Sequence, residues 1–227
     1  MWQAYPMGPN ELIEYYPRLY HMTEDGTWDS IRERGLLSTA SLVELFEVPE
    51  PKRTQLLTQH RPNSVPLTHP VYGRVVIRDQ KPLPPSKLER LLLDMTVPQW
   101  MELLNGFVFF WLQAERVSRL LNARAYRNRS HLVLTLDTKR LVNDHSPEIR
   151  LSPINSGAAA YLQGSRGSAT FKSIEDFPHP QPRSLSKPPK YIAELAVPSA
   201  VPNILQYTLR VERLQGGVVL DTLYERP

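Results

Sequence analysis

The chain has 227 residues, 41% of them hydrophobic and 22% charged, which excludes a disordered composition and fits one sizeable domain or two small ones. Its 27 basic and 23 acidic residues leave a net charge of +4, which permits phosphate contact but does not by itself indicate a nucleic-acid binder. No apolar run approaches the roughly 18 residues of a membrane span, and the absence of cysteine excludes disulfides and thiolate chemistry.

The N-terminus lacks a basic, then apolar, then small-residue pattern, so no secretory leader is expected. Together with the missing cysteines this fits a cytoplasmic protein with no membrane partner. The 22 prolines predict many short elements and ordered loops rather than a helical bundle.

In chain order, residues 1–17 are rich in proline and aromatics, with a short helical stretch at 11–14. Residues 18–23 predict a short, buried strand with Leu19 and Met22 facing one way and Tyr20 and His21 interleaved. Glu24, Asp25 and Gly26 are turn chemistry. Thr27 is placed to cap a helix at Trp28–Arg34, and Gly35 to end it as a left-handed residue. Short helices follow at 42–46 and Lys52–Thr58. Pro66 and Pro70 break the next stretch, and 74–78 predicts a strand with Arg74 and Arg78 on one face.

From 84 onward Leu88, Leu91, Leu92 and Met95 form the inward stripe of a helix. A second helix covers 97–104 before an Asn105-Gly106 turn. Phe107–Trp111 is apolar on both faces and therefore predicts a central strand. Residues 115–125 are helical, with Val117, Leu120 and Leu121 inward and Arg116, Arg119 and Arg124 outward. A strand at 131–137, a helical turn at 138–143 and a short strand at 149–152 come next. Residues 155–167 are small, polar and glycine-rich, hence a loop. Residues 170–176 are ambiguous, and 177–189, with five prolines, predict an exposed irregular loop. Strands at 191–197, 204–213 and 218–223 close the chain, the last two joined as a hairpin through Gln215-Gly216-Gly217. This succession predicts an α+β fold with a strongly curved, partly antiparallel sheet.

Three constellations carry possible chemistry. His21 and Thr23 sit at a strand end before a turn and a helix, a place to hold a ligand. The competing reading is a satisfied buried histidine. Glu194 lies in an apolar strand, where a carboxylate is costly unless it lines a cleft or is paired. A cleft carboxylate suits general-base or electrostatic work, while an edge-strand glutamate facing solvent is the alternative. Arg116 and Arg119 follow a central strand and suit a phosphate clamp, or simply a solvated helix face. The histidines at 21, 60, 69, 131, 145 and 179 show no metal-ligand spacing, so no metal is expected. There is no phosphate-binding glycine motif of the P-loop or dinucleotide type and no nucleophile elbow. Gly164 to Gly167 is a weak anion-nest candidate.

These residues together resemble the ADP-ribosyltransferase superfamily in its histidine-first branch. Residues 19–23, then Ile31 and Gly35-Leu36, resemble the opening of the DarT-like DNA ADP-ribosyltransferases and, more distantly, of the KptA-like RNA 2′-phosphotransferases. Phe107–Trp111 resembles the aromatic second core strand, and His131 to Asp137, then Ser152 to Gly157, the strand followed by a small-residue loop with its Asn. Residues 191–198, with Val201-Pro202 and Ile204, resemble the strand of the catalytic glutamate and its Val-Pro turn.

The resemblance implies a single domain across 1–227, a curved split β-sheet with an NAD⁺ cleft and peripheral helices, and an insertion at 47–100. It implies an NAD⁺-dependent ADP-ribosyltransferase, with nucleic acid, and a DNA base in particular, as acceptor. NAD⁺ hydrolysis and a non-catalytic nucleotide-binding module are the alternatives. A phosphotransferase would need a basic set gripping a 2′-phosphate, which the core lacks. The implied catalytic residues are Glu194 and His21. The implied contacts to NAD⁺ are His21, Met22, Thr23, Phe110, Arg116, Arg119, Asn155 and Ser156. Arg74, Arg78, Arg166 and Lys172 are implied at the substrate, with 171–190 as the recognition loop.

Overall fold

The computed structural model describes residues 4–159, 164–180 and 192–227. Seven strands form one sheet in the spatial order Val218–Glu225, Thr208–Gln215, Ser130–Asp137, Arg18–Glu24, Phe107–Trp111, Glu194–Pro198 and Arg150–Ser152. With the helices between them the chain is α+β. The sheet is antiparallel at every junction, not only at some as the sequence suggests. Each excursion between neighbouring strands returns the chain in the opposite direction, so no parallel crossover unit arises.

The central junction is the weak one. Arg18–Glu24 pairs with Ser130–Asp137 from Arg18↔Asp137 to Glu24↔His131. On its other side it meets Phe107–Trp111 at a single register position, Tyr20↔Trp111. Beyond that pair the two strands diverge, and the His21 imidazole bonds to the Phe109 carbonyl, 2.8 Å from Nδ1. The sheet therefore opens into a four-stranded and a three-stranded half, joined by one pair and one side chain.

The main core lies on one face. Leu19, Val108, Phe110, Leu132, Leu134, Leu136, Leu195 and Val211 pack there against Leu12, Ile31, Leu141 and Ile204 from the helices. Met22 belongs to a different cluster, with Val117, Leu121, Tyr126 and Val133. Leu19 and Met22 thus occupy opposite faces, contrary to the expected shared one, because side chains three apart on a strand alternate sides.

Thr27 precedes the helix Trp28–Arg34 as expected but does not cap it. Its hydroxyl donates instead to the Glu24 carbonyl at 2.7 Å, closing the turn. Gly35 ends the helix at φ +81°, its N–H donating to the Ile31 carbonyl at 2.8 Å. The chain then pairs Leu36–Leu37 with Ala200–Val201, beside the end of the Glu194 strand.

Between these parts, helices Thr39–Leu45 and Lys52–Thr58 and a hairpin of Val65–His69 with Gly73–Ile77 build a unit with its own apolar cluster. The Val65–His69 strand was not expected, because Pro66 and Pro70 look like breakers. In a two-stranded hairpin Pro66 sits on an edge, where its missing N–H costs little. The helix expected from 84 stops at Pro85–Glu89. Backbone groups of Leu91 and Leu93 are taken instead by Arg166, whose N–H and carbonyl bond to them at 2.8 and 3.0 Å. Val97–Asn105 starts with a Thr96/Gln99 capping box and ends at Gly106.

The expected strand at 204–213 divides into a helical turn, Ile204–Tyr207, and the strand Thr208–Gln215. The final hairpin turns through Gly216 and Gly217 at φ +53° and +79°, the left-handed pair such a tight turn requires. Of the expected proline-rich loop, Pro178–Pro180 pairs with Ala4–Pro6, while 181–189 and the expected strand start at Tyr191 lie outside the described residues.

Candidate active site

Where the sheet opens, it leaves a cleft of about 320 Å³, within the range of small-molecule sites. The walls come from the His21 strand, the aromatic strand, Glu194, the loop Asn155 to Gly157, the end of the Trp28–Arg34 helix and the inserted unit. His21 and Glu194 both line it, although 173 positions separate them in sequence (194 − 21). The register explains the approach. Tyr20 pairs with Trp111, and Trp111 pairs with Glu194. Two strand spacings, roughly 10 Å, therefore separate the His21 and Glu194 strands.

The Phe109 carbonyl can only accept, so His21 carries its hydrogen on Nδ1 and Nε2 keeps a bare lone pair. Nε2 has no partner among the described residues. Burial drives the His21 pKa down to about 4, the hydrogen bond to Phe109 opposes this, and the Arg78 charge adds to it. His21 is therefore a neutral acceptor at physiological pH.

Glu194 is paired on both sides, to Trp111 and to Ser152, so the solvent-facing edge alternative does not hold. It is 4% exposed. Its Oε2 accepts from the Ser156 N–H at 2.9 Å and the Ser156 hydroxyl at 2.6 Å. Oε1 has no partner among the described residues. Burial lifts the pKa to about 7, while the Ser156 hydrogen bonds and the charges of Arg116 and Arg166 pull it down. A carboxylate poised near neutrality, with one free oxygen in a cleft, suits charge stabilisation or proton transfer. Removing the hydroxyl in Ser156→Ala leaves only the backbone donor. The Glu194 pKa is then expected to rise by about one unit or more, read by carboxyl-carbon NMR of the labelled side chain across pH.

The other expected contacts divide. Met22, Thr23, Asn155, Ser156 and Arg78 line the cleft. Thr23 does so with its hydroxyl hydrogen committed to Thr27 at 3.1 Å, since Thr27 donates to Glu24. Arg78 enters from the inserted unit, donates to the Met22 carbonyl at 3.1 Å and lies over the Tyr126 ring. Phe110 is fully buried in the main core and does not line the cleft. On that strand the cleft takes Phe107, Phe109 and Trp111, the alternate side chains. Arg116 is half-buried and acts on Glu194 through its charge, without lining the cleft. Arg119 is exposed outside it, because its side of the helix turns away from the sheet.

Arg74 is exposed near the hairpin tip, away from the cleft. Lys172 is anchored by its backbone to Leu151, in a bridge beyond the sheet's far strand. Arg166 is 1% exposed, too deep to grip a substrate. Its Nη1 donates to the carbonyls of Ala158 and Ser156, at 3.0 and 3.4 Å, so it braces the loop that presents Ser156 to Glu194. Of the expected recognition loop, 181–190 lies outside the described residues.

Sequence reading missed the far end of the cleft. There Asp79 accepts from the Tyr126 hydroxyl at 2.6 Å and faces Lys81 at 3.6 Å. Arg61 is buried, its guanidinium bonded to the carbonyls of Leu56 and Arg78 and to Asn105. These groups satisfy one another and hold the inserted unit to the sheet. Only the apolar spacing around them was visible beforehand.

Among the described residues no group of His, Asp or Glu is placed to hold a metal ion, and no helix is long and apolar enough to cross a membrane. A family model matches residues 17–208, and its description is a family of unknown function (DUF7002). No curated protein matches the chain.

Proposed function

The chain belongs to the DUF7002 family, and we propose that it is an NAD⁺-dependent ADP-ribosyltransferase. The observation that carries this reading is the meeting of a neutral His21 and a buried Glu194 in one cleft at the opening of a split sheet. The sequence resemblance to ADP-ribosyltransferases supports it, since His21 to Thr23, Ile31, Gly35, Leu36, the aromatic strand, Asn155 to Gly157 and Glu194 from the resembling motifs line that cleft.

The residues divide the work as follows. His21 Nε2 accepts from a hydroxyl of the nicotinamide-bearing ribose and sets its orientation. Phe109 and Trp111 offer ring surface to the flat nicotinamide. When the bond from ribose C1′ to nicotinamide breaks, its electron pair leaves with nicotinamide and positive charge builds on the ribose. The ionised Glu194 faces that charge in a site of low dielectric, where a fixed carboxylate is most effective. The incoming nucleophile bonds to C1′ and passes its proton to Glu194. By the resemblance, nucleic acid is the favoured acceptor.

The test is incubation with NAD⁺ labelled in the adenylate half, with DNA, RNA and protein supplied separately. Nicotinamide release with label on the nucleic acid is the expected result. Label on water-derived ADP-ribose alone would instead make this an NAD⁺ hydrolase. Bound NAD⁺ without release would make it a binding module, and no binding at all would remove the proposal.

A further inference from the structure

The four-stranded half of the sheet carries a second cavity, of about 340 Å³, on the face turned away from the main core. The strand register builds its floor. Tyr20 pairs with Thr135, Thr135 with Arg210, and Arg210 with Glu225, and residues directly opposite one another share a face. Arg18, two positions before Tyr20, lies on that face as well. Arg226 closes one side, where its N–H donates to the Leu209 carbonyl at 2.8 Å. Arg18, Thr135, Arg210, Glu225 and Arg226 all line this cavity, and none of them lines the cleft.

The three guanidiniums are poorly neutralised. Arg18 donates to the Pro17 carbonyl at 3.0 Å, and Arg226 to the carbonyls of Leu205 and Gln206 at 2.9 and 2.6 Å. Neither has an ion pair among the described residues, and Arg210 has one, to Glu212 at 3.5 Å. Arg226 Nη1 is buried and has no hydrogen-bond partner among them. Buried N–H groups without an acceptor are rare in folded chains, and neighbouring positive charges repel one another unless an anion joins them.

We infer that this cavity is a separate binding site for the phosphate group of a small molecule, held by Arg18, Arg210 and Arg226. The planar fork of arginine bonds two oxygens at once. Three such forks around one cavity offer more donors than the two oxygens of a carboxylate can take, and a phosphate supplies the further oxygen. Glu225 is exposed at the rim, opposite Arg210, and makes no ion pair among the described residues. It suits a hydroxyl beside the phosphate, which it would accept from. The site is distinct from the cleft. Arg18 stands four positions before Met22, which lines the cleft, or roughly 13 Å along the strand. The inference does not rest on the transferase reading.

The experiment is calorimetric titration of the full chain with glycerol phosphate, inorganic phosphate and acetate, in about 0.15 M chloride so that loose surface attraction is screened. The proteins are the parent, Arg18→Gln/Arg210→Gln, and a charge-matched control, Arg32→Gln/Arg53→Gln, at exposed arginines outside the cavity. The parent is expected to bind glycerol phosphate saturably, and the first variant at least about ten-fold more weakly, the usual effect of losing a charge-assisted hydrogen bond. The control should keep the parent's affinity. Arg18 and Arg210 are exposed, so the fold should survive. Arg210→Lys, which keeps the charge and loses the fork, is the second variant and should also bind more weakly. Tighter binding of glycerol phosphate than of inorganic phosphate would assign a phosphomonoester, and equal binding free phosphate. Either result keeps the inference. No saturable phosphate binding, equal losses in variant and control, or acetate bound as tightly as phosphate would overturn it.

Discussion

Glu194→Gln is expected to lower nicotinamide release by about 10²–10³-fold, the usual cost of removing one preorganised electrostatic group at a reacting centre. The same substitution is expected to stabilise the fold, and the two effects together separate a functional carboxylate from a structural one. An unfolded glutamate titrates near 4.5, and burial lifts Glu194 to about 7. The folded state holds this proton more tightly than the unfolded state. Its contribution is therefore most favourable below about pH 4.5 and is lost as pH rises through about 7. A shift of this size corresponds to about 3 kcal/mol of strain at pH 8. Gln in that place keeps an oxygen for the two Ser156 donors and never ionises. Thermal unfolding should show the variant level with the parent at pH 4.5 and several degrees above it at pH 8. In the parent, nicotinamide release should rise with pH through about 7, because the ionised form does the work. A variant that loses stability at pH 8 would show that the Glu194 carboxylate is a structural pair.

Gly35→Ala is the second large effect, and here it falls on the fold. Gly35 has φ +81° and ψ −173°, a region essentially confined to glycine. A Cβ on it would lie 2.3 Å from the Val201 carbonyl and 2.5 Å from Pro202 Cα. Both obstacles are backbone, so neither can swing aside. Backbone strain and overpacking each cost about 1–3 kcal/mol, which together gives roughly 3–5 kcal/mol. Gly73→Ala is the internal standard. Gly73 also has positive φ, at +69°, but nothing lies within 4 Å of its added Cβ, so it should lose only about 1–2 kcal/mol. Urea unfolding midpoints of the two variants measure the difference, and equal losses would mean that the contact with residues 201–202 does not matter. Because Leu36–Leu37 pairs with Ala200–Val201 just past the Glu194 strand, Gly35→Ala should disturb the cleft as well as the stability.

Several elements were legible because their causes are local. Lys52–Thr58 and Phe107–Trp111 stand where the sequence places them, and the Gly216-Gly217 turn follows from two residues that tolerate positive φ. Other features misled for identifiable reasons. In Phe107–Trp111 every residue is apolar, so nothing in its pattern says that Phe110 faces the core and Phe109 the cleft. Arg166 sits in a small, polar stretch that reads as exposed, yet loop carbonyls enclose it. Pro66 reads as a breaker until one knows that its strand is an edge.

Composition and period thus determined by themselves the α+β character, most of the short elements and the two residue types worth watching, a strand-end histidine and an apolar-strand carboxylate. Tertiary structure alone decided that both line one cleft. The bond from His21 to Phe109 spans 88 positions and that from Ser156 to Glu194 spans 38. Such contacts depend on strand order and register, which no short window of sequence encodes. The fold also decided which charges reach the site, since burial depends on what the rest of the chain packs around each group.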